Sequence, residues 1–486
     1  MSIRVRIAPS PTGYMHIGTL HTVLFNYFFA RQQGGAFIIR IEDTDQKRFV
    51  DGALESLLKT LQTLGLEHDE GPVLRADGTL SEKGSFGPYI QSSRLDIYKP
   101  YVEQLLAKGD AYVCFCTAER LEEMRAAQTA AKQTPKYDRH CLSLTREEIE
   151  SRKKTESFVI RMKVPEGSTT FDDAVRGPVT IKHSEVDDQV LLKSDGFPTY
   201  HLAVVIDDHL MEITHVLRGE EWLPSTPKQV ILCQMFGWES PVFAHIPLLL
   251  NADKKKLSKR QGDVAAEDFL SKGYLVDTLI NFVGTLGFNP KSDEEIYSKA
   301  ELVELFDLSK VNRSGAVMNI EKLDWMNHQY ISKLDEQSLY EAVKPFAPDI
   351  DFSNPIALRA LQIEKTRANR LTDFAVSLTP YLSIGDYPAS ILVWKKADVA
   401  DAKKNLENIR SIVSGAGEEA FADIGLLEGL IKEYISTNAL QNGNVLWPLR
   451  VALSGAEKSA SPFELLWVLG RGESLKRIEN ALNLLA

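Results

Sequence analysis

The chain opens on a short alternation. Ile3, Val5 and Ile7 are apolar and Arg4 and Arg6 are charged, the period of a strand. A loop of Pro, Ser and Gly leads directly into residues 19–33. There Leu20, Val23, Leu24, Tyr27 and Phe28 recur at the spacing of one buried helix face, and Gly34-Gly35 ends the segment. Residues 36–41 form a nearly continuous apolar run, expected of a parallel strand covered on both sides. Together these predict a βαβ unit, and Leu54, Leu57, Leu58, Leu61 and Leu64 predict a further helix ending at Gly65. Between about 70 and 195 the rhythm breaks into Gly- and Asp-rich loops, a Cys-x-Cys, a charged helix over 117–132 and β-rich pieces such as 158–164, the pattern of an insertion. The α/β rhythm then resumes. Residues 199–205 and 213–217 predict strands, Thr226-Pro227 caps a helix with proline at its first position, and 246–250 leads into a lysine-rich loop. From about 262 onward almost every segment has helical period, Ser461-Pro462-Phe463-Glu464 is a capping box, 474–485 is amphipathic, and no strand alternation is visible after 300.

Length and composition narrow this picture. A chain of 486 residues suggests three or more domains, and 44% hydrophobic with 25% charged residues is the balance of a soluble globular protein. No apolar run approaches the roughly 20 residues that span a bilayer, and no basic region followed by an apolar targeting core opens the chain. Four cysteines exclude a disulfide scaffold and suit a reducing cytoplasm. The net charge of −11 counts against a nucleic-acid partner unless specific motifs outweigh it, because phosphate binding needs only a local basic face.

Candidate chemistry sits in two loops. In Arg6–Thr19 a strand passes through a loop to a helix N-terminus, where α/β proteins hold phosphate. Gly18 allows close approach to the backbone, and His16 can donate to phosphate oxygens as charge moves. Far downstream, Lys256-Leu257-Ser258-Lys259-Arg260 supplies lysines that can stabilise a pentavalent phosphate and departing pyrophosphate. Alone, a His-x-Gly is usually an ordinary loop and a basic run usually a solvated face. In this order and context the pair points to ATP-driven adenylation.

The two motifs resemble the signature pair of class I aminoacyl-tRNA synthetases, and more finely the glutamyl-tRNA synthetase family. Segments that carry the resemblance are Pro9–Gly18, Arg40-Ile41-Glu42-Asp43-Thr44-Asp45, Leu192–Gly196, Pro198–Ala203, Asp207-Asp208-His209, Arg218-Gly219-Glu220-Glu221-Trp222 and Trp447–Arg450. It covers essentially the whole chain. It implies a Rossmann-type doubly wound α/β catalytic domain with an α+β insertion, followed by an all-α anticodon-binding region. The implied boundaries are 1–95 and 196–250 for the two halves of the catalytic domain, 96–195 for an inserted acceptor-stem domain, 251–335 for a stem-contact helical domain with the lysine loop, and 336–383 and 384–486 for two anticodon-binding helical domains. It assigns glutamate recognition to Arg6, Ala8, Ser10, Glu42, Tyr200 and Arg218, with Arg218 taking the substrate side chain and Glu42 its ammonium group. It assigns ATP to His16, Gly18, Thr19, Glu221, Leu249, Lys256, Ser258 and Lys259, of which His16, Lys256 and Lys259 act in catalysis. An arginine fork matches a carboxylate bidentately, so the assignment suits glutamate. Thr19 and Leu257 depart from the general class signature in ways usual for this branch, and Val204 stands where the family often has asparagine.

The implied reaction uses Mg-ATP to form glutamyl-adenylate and then charges tRNA(Glu), or tRNA(Gln) as well in a non-discriminating form, in a cytoplasmic monomer. Arg367, within Lys365–Arg370, stands at the family's anticodon-reading position, while a solvated helix face is the alternative for Lys365 and Arg370. Trp447 suits either packing or base stacking. Cys114, Cys116 and Cys141 with Tyr137, or with His140 as the alternative ligand, could complete a structural Zn2+ site; three free thiols are the alternative. Cys233 reads as core. A glutaminyl-specific relative is disfavoured by the helical C-terminal third, a truncated tRNA-modifying relative by that third's presence, and an inactive RNA-binding relative by His16, Lys256 and Lys259.

Overall fold

The structure is a computed structural model. It describes every residue except Met1, Gln46, Lys47, Phe49, residues 258–264, Ser292 and Lys396. Ser258 and Lys259, assigned above to ATP, therefore lie outside the described residues. The chain forms two compact units, one of Met1–Leu270 with Val276–Ile320, the other of Ser271–Leu275 with Glu321–Ala486.

The first unit begins with β1 (Arg4–Ile7), α1 (Ile17–Gln32) and β2 (Ala36–Ile39), with β1 and β2 parallel. Val5, Ile7, Phe37, Ile38 and Ile39 are all buried, as a sheet covered on both faces requires. Helix α2 (Ala53–Thr63) follows, then an antiparallel hairpin of β3 (Gly71–Leu74) and β4 (Leu80–Lys83). Helix α3 (Leu95–Lys108) enters the inserted region. Its β5 (Ala111–Cys114) lies beside α4 (Ala118–Ala130), α5 (Arg146–Arg152) and β6 (Val159–Met162) in the chain. The hairpin of β7 (Ser168–Asp173) and β8 (Gly177–Lys182) precedes β9 (Val190–Leu192), and β5, β6 and β9 make one antiparallel sheet.

Residues 199–205 are not the predicted strand. Pro198 and an extended Thr199 lead into α6 (Tyr200–Leu210). Leu202–Ile206 are buried all round, so this helix has no polar face to reveal its 3.6-residue period, and its apolar run looks like a strand. The expected strand over 213–217 is β10 (His215–Gly219); α7 (Thr226–Phe236) and β11 (Val242–Ile246) follow, and the cap of α7 is Ser225, one residue earlier than expected, so Thr226 is its first residue and Pro227 its second. β10 and β11 are parallel, with Arg218 in register with His245. The Thr214 amide donates to the Arg4 carbonyl at 3.0 Å, which joins the start of β10 to β1. The β7–β8 hairpin hooks onto β11, pairing Asp173 with Phe243, so the inserted region reaches the central sheet. A strand also exists beyond 300. β12 (Leu249–Leu250) pairs with β13 (Ala316–Val317), which at two residues is too short to show a period.

The second unit is helical. Helices Pro355–Glu364, Val399–Gly415, Ile424–Thr437, Asn442–Ser454 and Pro462–Leu484 pack around Leu406, Ile409, Leu449, Val451, Leu466 and Ile478. The capping box at Ser461 and Glu464 is present, and Gly470, at φ 67°, breaks the last helix, so the amphipathic 474–485 segment is its second limb. Trp447 packs inside this unit, its Nε1 donating to the Ile391 carbonyl at 2.8 Å and its ring 4.6 Å from Trp394. Among the described residues, no helix is long and apolar enough to cross a membrane.

Candidate active site

A cavity of about 1080 Å³ lies beyond the carboxyl ends of β1 and β10. Ligands of open α/β sheets bind there because loops and helix N-termini converge at that edge. It is lined by Arg6, Ala8, Ser10, His16, Gly18, Thr19, Glu42, Tyr200, Arg218, Glu221, Leu249 and Lys256, which are all the described residues assigned above to glutamate and ATP.

The opening loop turns at Gly13, whose φ of 134° a side chain would strain. His16 is the N-cap of α1, with extended backbone, and its Nδ1 accepts from the Gly18 amide at 2.9 Å. The neutral ring then carries its proton on Nε2 and can donate from there. A Cβ on residue 18 would stand 3.2 Å from His16 Nδ1, so glycine suits this approach. On the far side Lys256 Nζ lies 3.6 Å from Glu221 in a half-open pair.

The upstream arm of the loop belongs to a buried charge network. Arg6 donates through Nε and Nη2 to Asp208 at 3.0 and 3.3 Å, leaving Nη1 for another partner. Arg40 donates to Asp208 at 2.7 Å and to Glu42 at 3.1 Å, while Arg94, Gln91 and Tyr98 converge on Asp207. Burial pushes the Glu42 carboxyl up to about 7, against the pull of Arg40 and Arg6. Of the adjacent acids near the end of α6, Asp208 thus holds Arg6 and Arg40, and Asp207 holds Arg94. Their signal in the sequence is a charged pair ending an apolar run.

Arg218 differs from these arginines. It is 5% exposed, yet its partners are neutral. Nε donates to His245 Nε2 at 3.1 Å, Nη1 to Gln229 at 2.8 Å and Tyr200 at 3.3 Å, and Nη2 to Thr226 at 2.8 Å. Burial pulls its pKa below the usual value. A guanidinium has five N–H donors, so one Nη2 proton is still available. A buried cation in a neutral shell strongly favours an entering anion. Trp222, 4.4 Å from the Tyr200 ring, and Lys193, which donates to the Thr44 carbonyl at 3.0 Å, also line the cavity and were given no role by sequence. Val204, within α6, is buried in the core and does not line the cavity.

A second constellation lies in the inserted region. The sulfurs of Cys114, Cys116 and Cys141 lie within 4.8 Å of one another, those of Cys116 and Cys141 at 3.6 Å. Tyr137 Oη is 3.3 Å from the Cys114 and Cys116 sulfurs and accepts from the Cys141 amide at 3.1 Å. His140 is exposed and outside the group. A tetrahedral ion with Zn–S bonds of ~2.3 Å would hold sulfurs ~3.8 Å apart, so this donor set fits zinc. Cys233 is buried in α7.

In the helical unit Arg367 is chelated by a carboxylate. Nη2 donates to both Glu464 oxygens at 2.9 Å, and Glu364 lies 3.6 Å away. Arg370 pairs with Asp324 at 2.8 and 2.9 Å, and Lys365 donates to the Leu334 carbonyl.

The family model for the catalytic domain of class I tRNA synthetases (E and Q) matches residues 2–325, and that for an anticodon binding domain matches 338–482. The chain belongs to the class I tRNA synthetases of this E and Q family. It is 43% identical to a glutamate–tRNA ligase of Clostridioides difficile (strain 630), over 98% of each chain. It is 41% identical to a glutamate–tRNA ligase of Lachnoclostridium phytofermentans, over 100% of this chain and 99% of that one. Among solved structures, a glutamate tRNA ligase from Elizabethkingia meningosepticum, crystallised in complex with its amino acid, matches over the full length of both chains with a TM-score of 0.90 at 33% identity. The glutamate–tRNA synthetase of Elizabethkingia anophelis matches with a TM-score of 0.88 at 34% identity.

Proposed function

We propose that the chain is a glutamate–tRNA ligase. An α-carboxylate oxygen of L-glutamate attacks the α-phosphorus of Mg-ATP, the bond to the β-phosphate oxygen breaks, and glutamyl-adenylate and pyrophosphate result. A ribose hydroxyl of the terminal adenosine of tRNA(Glu) then attacks the adenylate carbonyl and AMP leaves. The observation that carries this reading is Arg218, a buried cation in a neutral shell that lines one cavity with Glu42 and the His16 helix entry. In the proposed roles Arg218 takes the substrate side-chain carboxylate and Glu42 its ammonium group, with Arg6, Ala8, Ser10 and Tyr200 completing the glutamate site. His16 Nε2 donates to phosphate, Gly18 and Thr19 admit the nucleotide to the start of α1, and Glu221, Leu249 and Lys256 line the nucleotide side. Ser258 and Lys259 join them by resemblance. The catalysis is positioning and charge stabilisation, with no covalent enzyme intermediate.

Glutamate-dependent exchange of labelled pyrophosphate into ATP tests the reading. Exchange is expected when tRNA(Glu) is present, and no exchange with or without tRNA would overturn it. Charging of purified tRNA(Glu) and tRNA(Gln) decides between a discriminating and a non-discriminating enzyme. The three thiols with Tyr137 would hold one structural zinc. Metal analysis of the purified protein should return about one zinc per chain, lost on Cys141→Ser; a metal-free wild type refutes the site.

A further inference from the structure

Arg218 is oriented by a group that is itself oriented. His245 lies opposite it in register on the neighbouring parallel strand, so both side chains stand on the same face. His245 Nδ1 donates to Asp173 Oδ2 at 2.6 Å, and the imidazole and carboxylate side chains have no exposure at all. Asp173 also accepts from the His245 amide at 3.1 Å and from the Val175 and Arg176 amides at 3.1 and 2.9 Å. With Nδ1 protonated toward Asp173, the neutral ring presents a lone pair on Nε2, and Arg218 Nε donates into it at 3.1 Å. The Thr226 hydroxyl, also 3.1 Å from Nε2, has the Trp222 carbonyl as an alternative acceptor.

From this geometry we infer that Asp173 and His245 are positioning residues for Arg218, Asp173 fixing the imidazole tautomer that accepts from the guanidinium and so aiming its remaining donors into the cavity. The inference rests on the reading of Arg218 as the group that takes the substrate's side-chain carboxylate. The chemical logic lies in the imidazole between the two charges. An aspartate placed directly against Arg218 would orient it but also neutralise it, as Asp208 does for Arg6 and Arg40. The neutral imidazole transmits the orientation while the carboxylate is satisfied by backbone amides, so the arginine keeps its charge for an anionic side chain. Burial lowers the His245 pKa against the pull of Asp173, and donors from His245 and the Arg176 amide hold Asp173 below its usual range despite burial, so both groups sit in the required state. Asp173 arrives on the β7–β8 hairpin, which ties the inserted region to the selectivity of the cavity.

Asp173→Asn tests this with almost no change in volume. An asparagine that accepts the Val175 and Arg176 amides through its oxygen presents its NH2 to Nδ1. That forces the proton onto Nε2, where it meets Arg218 Nε donor to donor; the flipped amide instead opposes the backbone amides. In pyrophosphate exchange with tRNA present, D173N and His245→Leu should raise the KM for glutamate by about tenfold to a hundredfold, the loss of a buried hydrogen bond to a charged group. Both should also lower the preference for glutamate over glutamine. KM for ATP should stay within about twofold, since no nucleotide contact is removed. His245→Gln, which keeps an acceptor, should lie nearer the wild type. Thermal unfolding checks that each variant folds; if H245L does not, D173N carries the test. A folded D173N with wild-type glutamate KM and selectivity overturns the inference, as does an equal rise in both KM values, which would make the pair merely structural. Arg218→Ala in parallel separates the two failures. If it too leaves glutamate use unchanged, the assignment of Arg218 falls; if it alone is impaired, only the relay falls.

Discussion

Arg218 in the sheet-based unit and Arg367 in the helical unit are both arginines that the resemblance assigns to recognition, and the fold treats them oppositely. Arg218 is buried among neutral acceptors and still has a donor to give. Arg367 is partly exposed and already chelated by both oxygens of Glu464. A binding cation can thus be kept incomplete until its ligand arrives, or kept occupied by a carboxylate that the ligand must displace. The first arrangement makes the unliganded protein carry an uncompensated charge. The second lowers that cost and takes it back from the binding energy.

The sharpest way to break the comparison is Arg218→Ala. Removing one member of a buried charge pair costs about 2–5 kcal/mol, so kcat/KM for glutamate should fall by about thirtyfold to a few thousandfold. Because Arg218 has no described carboxylate partner, thermal stability should hold or rise slightly. Arg40→Ala, which strands Glu42 and Asp208, should instead destabilise the fold. A sharp loss of stability in R218A with unchanged glutamate kinetics would show that the guanidinium is structural.

How much of this was legible beforehand depends on distance along the chain. The loop over 6–19 is local, and strand period, turn residues and helix period all lie within one short stretch, so its phosphate-cradle shape could be read directly. Which cations the fold neutralises could not be read. Arg6 finds Asp208 across 202 residues, and His245 finds Asp173 across 72, pairings that exist only after strands adopt their register. Residues 199–205 have the apolar run of a strand because the middle of the helix Tyr200–Leu210 is buried on all sides. Only the helical period sets Tyr200 at one end and Asp207 with Asp208 near the other. The three-thiol group was half legible. Cys-x-Cys is local, but only the turn over His140–Ser143 brings Cys141 to Cys116 and leaves His140 outside.

The cavity has a second incomplete group, and it sharpens the same contrast. Burial raises Glu42 to about 7 against the attraction of Arg40 and Arg6. In the proposed role, only the ionised form pairs with the substrate ammonium. With a pKa near 7, the ionised fraction falls from about 0.9 at pH 8 to about 0.1 at pH 6, so kcat/KM for glutamate should drop about tenfold as pH falls across that window. KM for ATP should not follow. Glu42→Gln should lower activity at pH 8 and flatten the profile. A profile that persists unchanged in the variant would assign the titration to another group.

The smallest expected effect belongs to the arginine that is already satisfied. Glu464→Gln preserves an amide oxygen for the Ser461 end of its helix, where the carboxylate now accepts from the Ser461 amide at 2.6 Å. It removes the charge that holds Arg367. A partly exposed ion pair contributes about 0.2–1 kcal/mol, so if RNA must displace Glu464, the variant's KM for tRNA(Glu) should fall by about 1.5- to 5-fold. Raising ionic strength should shrink the difference between wild type and variant, because salt screens the competing pair. The opposite sign is equally informative. A higher KM in E464Q would mean that Glu464 aims the guanidinium at a base instead of competing for it, and Arg367 would then belong with Arg218 as a cation held in place for its ligand.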